Sequence, residues 1–128
     1  MLCEFPTYPT IPASDLTRAR HFYEETLGFD AEEVSAAGVM YRSRSSALFV
    51  YPSSFAGTNR ATAAGFQVVD LPATVKELKG RGVRFEEYDL PNVKTVGGIM
   101  KSPDGDAAWF KDTEGNIIGL FQSDRPTI

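Results

Sequence analysis

The sequence predicts an α+β domain built from two β-α-β-β-β modules, whose strands form a curled mixed sheet around a concave cavity. Three observations lead there. The stretch at 11–29, IPASDLTRARHFYEETLGF, reads as a strand end, an N-cap, one amphipathic helix and a glycine stop. A shorter echo stands at 66–85, FQVVDLPATVKELKGRGVRF, in which Asp70 answers Asp15 and Leu71 answers Leu16. An internal repeat of this kind sets the architecture before any single element does. Short apolar runs broken by turn residues make up the rest of each half, and helices on one face of antiparallel hairpins give an α+β layer arrangement.

The elements follow in order. Residues 6–13 read as a first strand, pushed towards an edge or an irregular start by Pro6, Pro9 and Pro12. Asp15 caps a helix over 15–27, since its carboxylate can accept free amides of the first turn. Leu16, Ala19, Tyr23 and Leu27 make its apolar stripe, and Gly28 supplies the left-handed stop. Strands at 29–35 and 39–43 flank the turn Ala36-Ala37-Gly38, and ALFVY (47–51) is a buried fourth strand. Residues 52–61 form the linker. The second half repeats the plan: strand 62–69, helix 71–80 with Pro72 at its first position and Leu71, Thr74, Val75 and Leu78 as its stripe, Gly82 as stop, then strand 83–88. A long segment at 89–106 carries Pro91, Pro103 and Gly97-Gly98, so regular structure is not expected to run through it. A segment of this length reads as a loop over a binding site, contributing Lys94 or Met100. Strand 107–111, the hairpin turn DTEGN (112–116), strand 117–122 and a tail at 124–128 complete the chain.

At 128 residues the chain fits one domain, 1–128, made of repeats at about 6–52 and 62–123. No apolar run approaches the roughly 20 residues of a membrane helix, and the N-terminus lacks the pattern of a secretory signal. The lone Cys3 makes no internal disulfide, which fits a reducing cytoplasm. Net charge is -4 with no basic run, which argues against nucleic acid as a partner. The single histidine, His21, falls off the helix stripe and reads as a surface residue. Strand alternation puts Glu86 and Glu87 on opposite faces, so with Asp89 they read as solvated edge charges. DTEGN lacks the ligand count of a calcium loop, and Cys3 has no histidine near it in sequence.

The motifs IPASDLTRARHFYEETLGF, FQVVDL and WFKDTEGNIIGLFQ together resemble the vicinal oxygen chelate superfamily, which includes glyoxalase I, bleomycin-resistance proteins, fosfomycin-resistance enzymes and extradiol dioxygenases. The resemblance covers nearly the whole chain. It implies the glyoxalase/bleomycin-resistance/dioxygenase fold and, for the enzymes, a divalent metal held by His, Gln or Glu on the first and last strands of each half. Carried over by position, those ligands fall on Tyr8, Ala63, Gly119 and a fourth position near Leu48. One phenol among three hydrocarbon positions is no site for a divalent cation, so neither a metal nor another cofactor is expected. The resemblance also implies which side chains line the cavity: Tyr8, Gln67, Met100, Trp109, Lys111 and Phe121. Thr10 and Gly65 share that face, while Ile11, Ala13, Phe66, Val68 and Phe110 pack under the helices. Aromatic walls with a few polar handles suit a small molecule.

The function expected is metal-free binding of a planar or partly aromatic ligand, as bleomycin-resistance proteins do, with no catalytic residue. The alternative is an enzyme of the lyase, isomerase or dioxygenase class that uses Tyr8 and Lys111 as an acid–base pair, for which burial would have to lower the lysine's pKa, or an undetected metal. A structural or interaction role ranks third. A homodimer with sheets meeting edge to edge is implied by the resemblance.

Overall fold

Both N-caps implied by the repeat are formed in the computed structural model, which describes residues 1–123; the tail at 124–128 lies outside the described residues. The Arg18 amide donates to Asp15 Oδ1 at 3.0 Å, and the Ala73 amide to Asp70 Oδ1 at 3.1 Å. They open α1 (Leu16–His21) and α2 (Leu71–Gly80). Gly28 and Gly82 follow with φ of 83° and 92°, the left-handed geometry that ends a helix at little cost for glycine. Removing an Asp cap costs about 1 kcal/mol. Asp70→Ala is therefore expected to lower the unfolding free energy by about that much, measured by urea denaturation, with an unchanged m-value.

The first helix covers the expected stretch, but only its first half is α-helical. Past His21 the chain widens into a π-turn at Phe22–Thr26, in which the Leu27 amide donates to the Phe22 carbonyl at 2.9 Å. The wider turn brings two consecutive side chains, Phe22 and Tyr23, into the core.

Each module folds into its own four-stranded mixed sheet. The first contains β1 (Thr10–Ala13), β2 (Ala31–Ser35), β3 (Gly38–Ser43) and β4 (Ser46–Pro52), in the order β1-β4-β3-β2. The second contains β5 (Thr62–Gln67), β6 (Ile99–Met100), β7 (Asp106–Lys111) and β8 (Ile117–Gln122), in the order β5-β8-β7-β6. In both, the first strand runs parallel to the last and the remaining pairs are antiparallel. The strand expected over 6–13 begins only at Thr10, because Pro6 and Pro9 have no N–H for a ladder. A single 3-10 turn at Leu2–Glu4 precedes it.

The strand expected over 83–88 is replaced by one bridge, Phe85 to Phe110, with the Glu86 amide donating to the Trp109 carbonyl at 2.8 Å. The reason lies in Glu87. Its carboxylate accepts from the Gly98 amide at 2.6 Å and from the Thr95 hydroxyl at 2.9 Å, so the chain is tied to its own following loop instead of extending the ladder. The segment at 89–106 is correspondingly more ordered than its prolines and glycines suggest. It closes bridges at Asp89–Lys94 and Val96–Ile99, and then supplies β6 as the edge strand beside β7. Lys94 is exposed there, 3.9 Å from the Asp89 carboxylate.

One core serves both modules. Ile11, Ala13, Tyr41, Leu48 and Val50 of the first sheet share it with Ala64, Ala108, Phe110, Ile118 and Leu120 of the second, along with α1 and α2. Phe22 packs on Phe110 with ring centroids 6.3 Å apart, and Phe29 on Phe66 at 5.8 Å. The helix-covered faces of the two sheets therefore enclose a common interior, and their other faces turn outward, away from it.

Candidate functional site: an aromatic face on the second sheet

Strand alternation sorts the second sheet cleanly. Ala108, Phe110, Ile118 and Leu120 are buried in the core, which places Trp109, Lys111, Gly119 and Phe121 on the opposite, outward face. Gln67 is the register partner of Phe121 and shares that face. Met100 pairs with Ala107, and since its neighbour Ile99 packs on the core, Met100 also faces outward. Five of the six side chains expected to line a site thus stand on one sheet face. Tyr8 is the sixth. It lies on the approach to β1, in the other sheet, 44% exposed.

The centre of the face is a cluster of rings. Trp109 meets Phe121 edge to face at 6.2 Å and Tyr88 edge to face at 5.7 Å, the T-shaped geometry that aromatic quadrupoles favour. Two glycines make the arrangement possible. A Cβ on Gly65 would come within 2.8 Å of the Phe121 ring, and one on Gly119 within 2.6 Å. The ring lies across both bare backbones, and Trp109 is the register partner of Gly119.

Two members of this face were not singled out from the sequence. Tyr88 meets Trp109 edge to face, and Glu86 stands 3.5 Å from the Lys111 Nζ. Alternation from the core residue Phe85 puts positions 86 and 88 together on the outward side. That signal was present in FEEY, but the expected solvated role for Glu86 hid its partner. Burial, with the nearby Glu86 carboxylate, holds the Tyr88 phenol above its usual pKa. Lys111 is not desolvated: its side chain is 54% exposed. Nor does Tyr8 share its sheet: Tyr8 precedes β1, the first strand of the other sheet, whereas Lys111 ends β7.

The residues at the family's metal-ligand positions do not fit a metal. The register aligns Thr10 with Phe49 in the first sheet as it aligns Gly65 with Gly119 in the second. The fourth position is therefore Phe49, one residue on from Leu48, whose side chain is buried in the core at 2% exposure. Ala63 sits where the β5–β8 register slips. The set is a phenol, a phenyl, a methyl and a hydrogen, and the Phe121 ring fills the space over Gly119. Among the described residues no group of three or more His, Cys, Asp or Glu side chains is placed to hold a metal ion.

The outward face of the first sheet is aromatic as well. Phe49 and Tyr51 alternate with the buried Leu48 and Val50, and their rings stack 6.2 Å apart at an interplanar angle of 5°.

A polar junction at the β7–β8 turn ties the two modules together. Glu114, buried, accepts from the Arg18 Nε at 2.8 Å, the Asp15 amide at 2.9 Å and the Ser14 hydroxyl at 3.2 Å. Asp112 accepts from the Tyr23 hydroxyl at 2.7 Å and from the amides of Glu114 and Asn116. The Asn116 side-chain amide donates to the Pro12 carbonyl at 2.8 Å. Burial raises the Glu114 pKa, but the donors from Arg18, Asp15, Thr113 and Ser14 outweigh it and hold the carboxyl at about 2. Burial, then the Asp112 carboxylate, drives the Tyr23 phenol well above its usual range. The turn DTEGN, expected as a plain hairpin, is the joint between the modules.

Residues 7–120 match the model of the glyoxalase/bleomycin resistance protein/dioxygenase superfamily. No curated protein matches the chain. Among solved structures, UcmS2 superposes with a TM-score of 0.73 at 20% identity, covering 91% of this chain and 96% of that one. A glyoxalase/bleomycin resistance protein/dioxygenase from Alicyclobacillus acidocaldarius gives 0.71 at 16% identity, over 94% and 92%. TnmS3, an antibiotic binding protein from Streptomyces sp. CB03234, gives 0.63 at 25% identity, over 94% and 95%. With the paired modules, the repeated caps and a family match across most of its length, the chain belongs to the glyoxalase/bleomycin resistance protein/dioxygenase superfamily.

Proposed function

We propose that this protein binds a planar, partly aromatic small molecule without a metal, on the outward face of the second sheet, and that two chains pair to enclose it. The observation that carries the reading is the Trp109–Phe121–Tyr88 ring cluster with the Lys111–Glu86 pair at its edge. Rings present apolar surface for stacking, and one lysine offers an anionic or carbonyl edge a partner. The likeness to TnmS3, which is described as an antibiotic binding protein, supports a ligand of this kind. Gln67 and Met100 flank the rings in this reading, and Tyr8 enters from the second chain.

Pairing follows from where the two aromatic faces stand. In one chain they face apart, so a ligand on Trp109 is covered from one side only. A second copy laying Phe49, Tyr51 and Tyr8 over the rings would close the other side. A homodimer is expected in light scattering at micromolar concentration, and a monomer would refute the paired site. Protein purified without chelator is expected to carry no stoichiometric Zn, Ni, Mn or Fe. Elemental analysis near one metal per chain would overturn the metal-free reading. Binding itself is tested by titrating planar aromatic acids and quinones while following the fluorescence of Trp109, the only tryptophan in the sequence. A cytoplasmic setting belongs to the same reading, given a single cysteine that is exposed and unpaired among the described residues. No helix of the described residues is long and apolar enough to cross a membrane.

A further inference from the structure

We propose a second ligand site, in the cleft between α2 and the chain that follows α1, for an uncharged apolar molecule of one or two rings. The cleft has a volume of about 240 Å³, and Leu27, Phe29, Phe66, Leu78, Phe110 and Leu120 form most of its wall. A cavity of about 150 Å³ holds one benzene ring, so this open cleft has room for a ring with substituents or a second ring, one edge of it left in solvent.

Its shape has a local cause. The π-turn at Phe22–Thr26 carries the first helix to Leu27, and Leu27 and Phe29 then form one wall opposite Leu78 of α2. Arg81, at the end of α2, reaches across to donate to the Thr26 carbonyl at 3.2 Å and to Glu77 at 2.9 Å. This strap props the mouth between the two modules. The polar residues that complete the lining, Thr74, Glu77 and Arg81, are already engaged. The Thr74 hydroxyl donates to the Asp70 carbonyl at 2.8 Å, and Glu77 and Arg81 are paired with each other. A charged ligand would lose its hydration and find no partner inside, which is why the occupant is uncharged. The site is separate from the aromatic face. Phe110 and Leu120 line the cleft, whereas Trp109 and Phe121, their neighbours in sequence, lie on the far side of the same strands.

The test is a titration of the full chain with toluene and, separately, with benzoate, followed by methyl and indole NMR signals. Toluene is expected to give saturable shifts at the methyls of Leu27, Val68, Leu78 and Leu120, with the Met100 methyl and the Trp109 indole unmoved. Benzoate should bind at least tenfold more weakly. Leu78→Phe, which fills the cleft, should weaken toluene at least tenfold. Thr74→Leu fills the same space from a half-buried helix position and decides the matter should Leu78→Phe fail to fold. No saturable shift, equal binding of benzoate, shifts centred on Trp109, or a Thr74→Leu variant that binds toluene like the parent would each overturn the site.

Discussion

Glu114→Ala is expected to cost on the order of 3 kcal/mol of stability, because its buried carboxylate is the shared acceptor of several donors, and part-buried donors left without an acceptor cost about 1–3 kcal/mol each. The Asp15 amide and the Ser14 hydroxyl lose their acceptor together, and the Arg18 guanidinium loses a two-oxygen partner. For a domain of this size the melting temperature should fall by about 10 °C. The pH dependence supplies an independent signature. The Glu114 carboxyl titrates at about 2 in the folded protein against an ordinary 4.5. A depressed carboxylate stabilises the fold fully above its unfolded pKa, and the contribution is lost as pH falls through the window from about 4.5 to about 2. At about 1.4 kcal/mol per unit this is again on the order of 3 kcal/mol. Glu114→Gln keeps the shape and removes the titration, so its stability should fall less steeply than the parent's across that window. Parallel stability–pH curves for the two would show that Glu114 is not the group holding the joint.

Trp109→Ala is expected to weaken a bound aromatic ligand by tenfold or more. Burying one aromatic side chain's worth of surface is worth roughly 1.5–3 kcal/mol, and about 1.4 kcal/mol is a factor of ten in affinity. Lys111→Met should weaken anionic ligands selectively, since it removes the charge and keeps most of the apolar stem. The competing view, that Trp109 is a core residue, predicts a large loss of stability and no ligand effect. Phe110 already fills the core position on that strand at 1% exposure, while Trp109 is only half-buried. A modest change in melting temperature is therefore expected alongside the loss of binding, and binding is followed by competition against a fluorescent parent ligand. If planar acids, quinones and glycopeptides all leave the parent's tryptophan emission unchanged, and Trp109→Ala is strongly destabilised, the ring cluster is packing and nothing more.

What the chain states locally, its sequence states openly. Asp15 and Asp70 each act on amides three residues away, and Gly28 and Gly82 act through their own φ, so the helices and the repeat were legible without a partner. Strand alternation is also local. Applied to the register that the family resemblance implies, it put Gln67, Trp109, Lys111 and Phe121 on one side of the sheet and Phe110 on the other, and the same resemblance marked Gly119 as a ligand position that lacks a donor. The limits of legibility were set by contacts between residues far apart in sequence. Glu87 diverts the chain to Gly98 and costs the expected strand at 83–88. The loop at 89–106 becomes an edge strand because β7 offers it a ladder. Tyr88 and Glu86 join the aromatic face only because the Phe85–Phe110 bridge brings them beside Trp109 and Lys111. Above all, Glu114, Asp112 and Asn116 reach back about a hundred positions to Arg18, Tyr23 and Pro12. No periodicity encodes which hydroxyl or guanidinium a turn carboxylate will meet. Those bonds, together with the shared core, join the two sheets, and so only the tertiary structure decided that the Phe49–Tyr51 pair and the Trp109 cluster of one chain stand on different sheets.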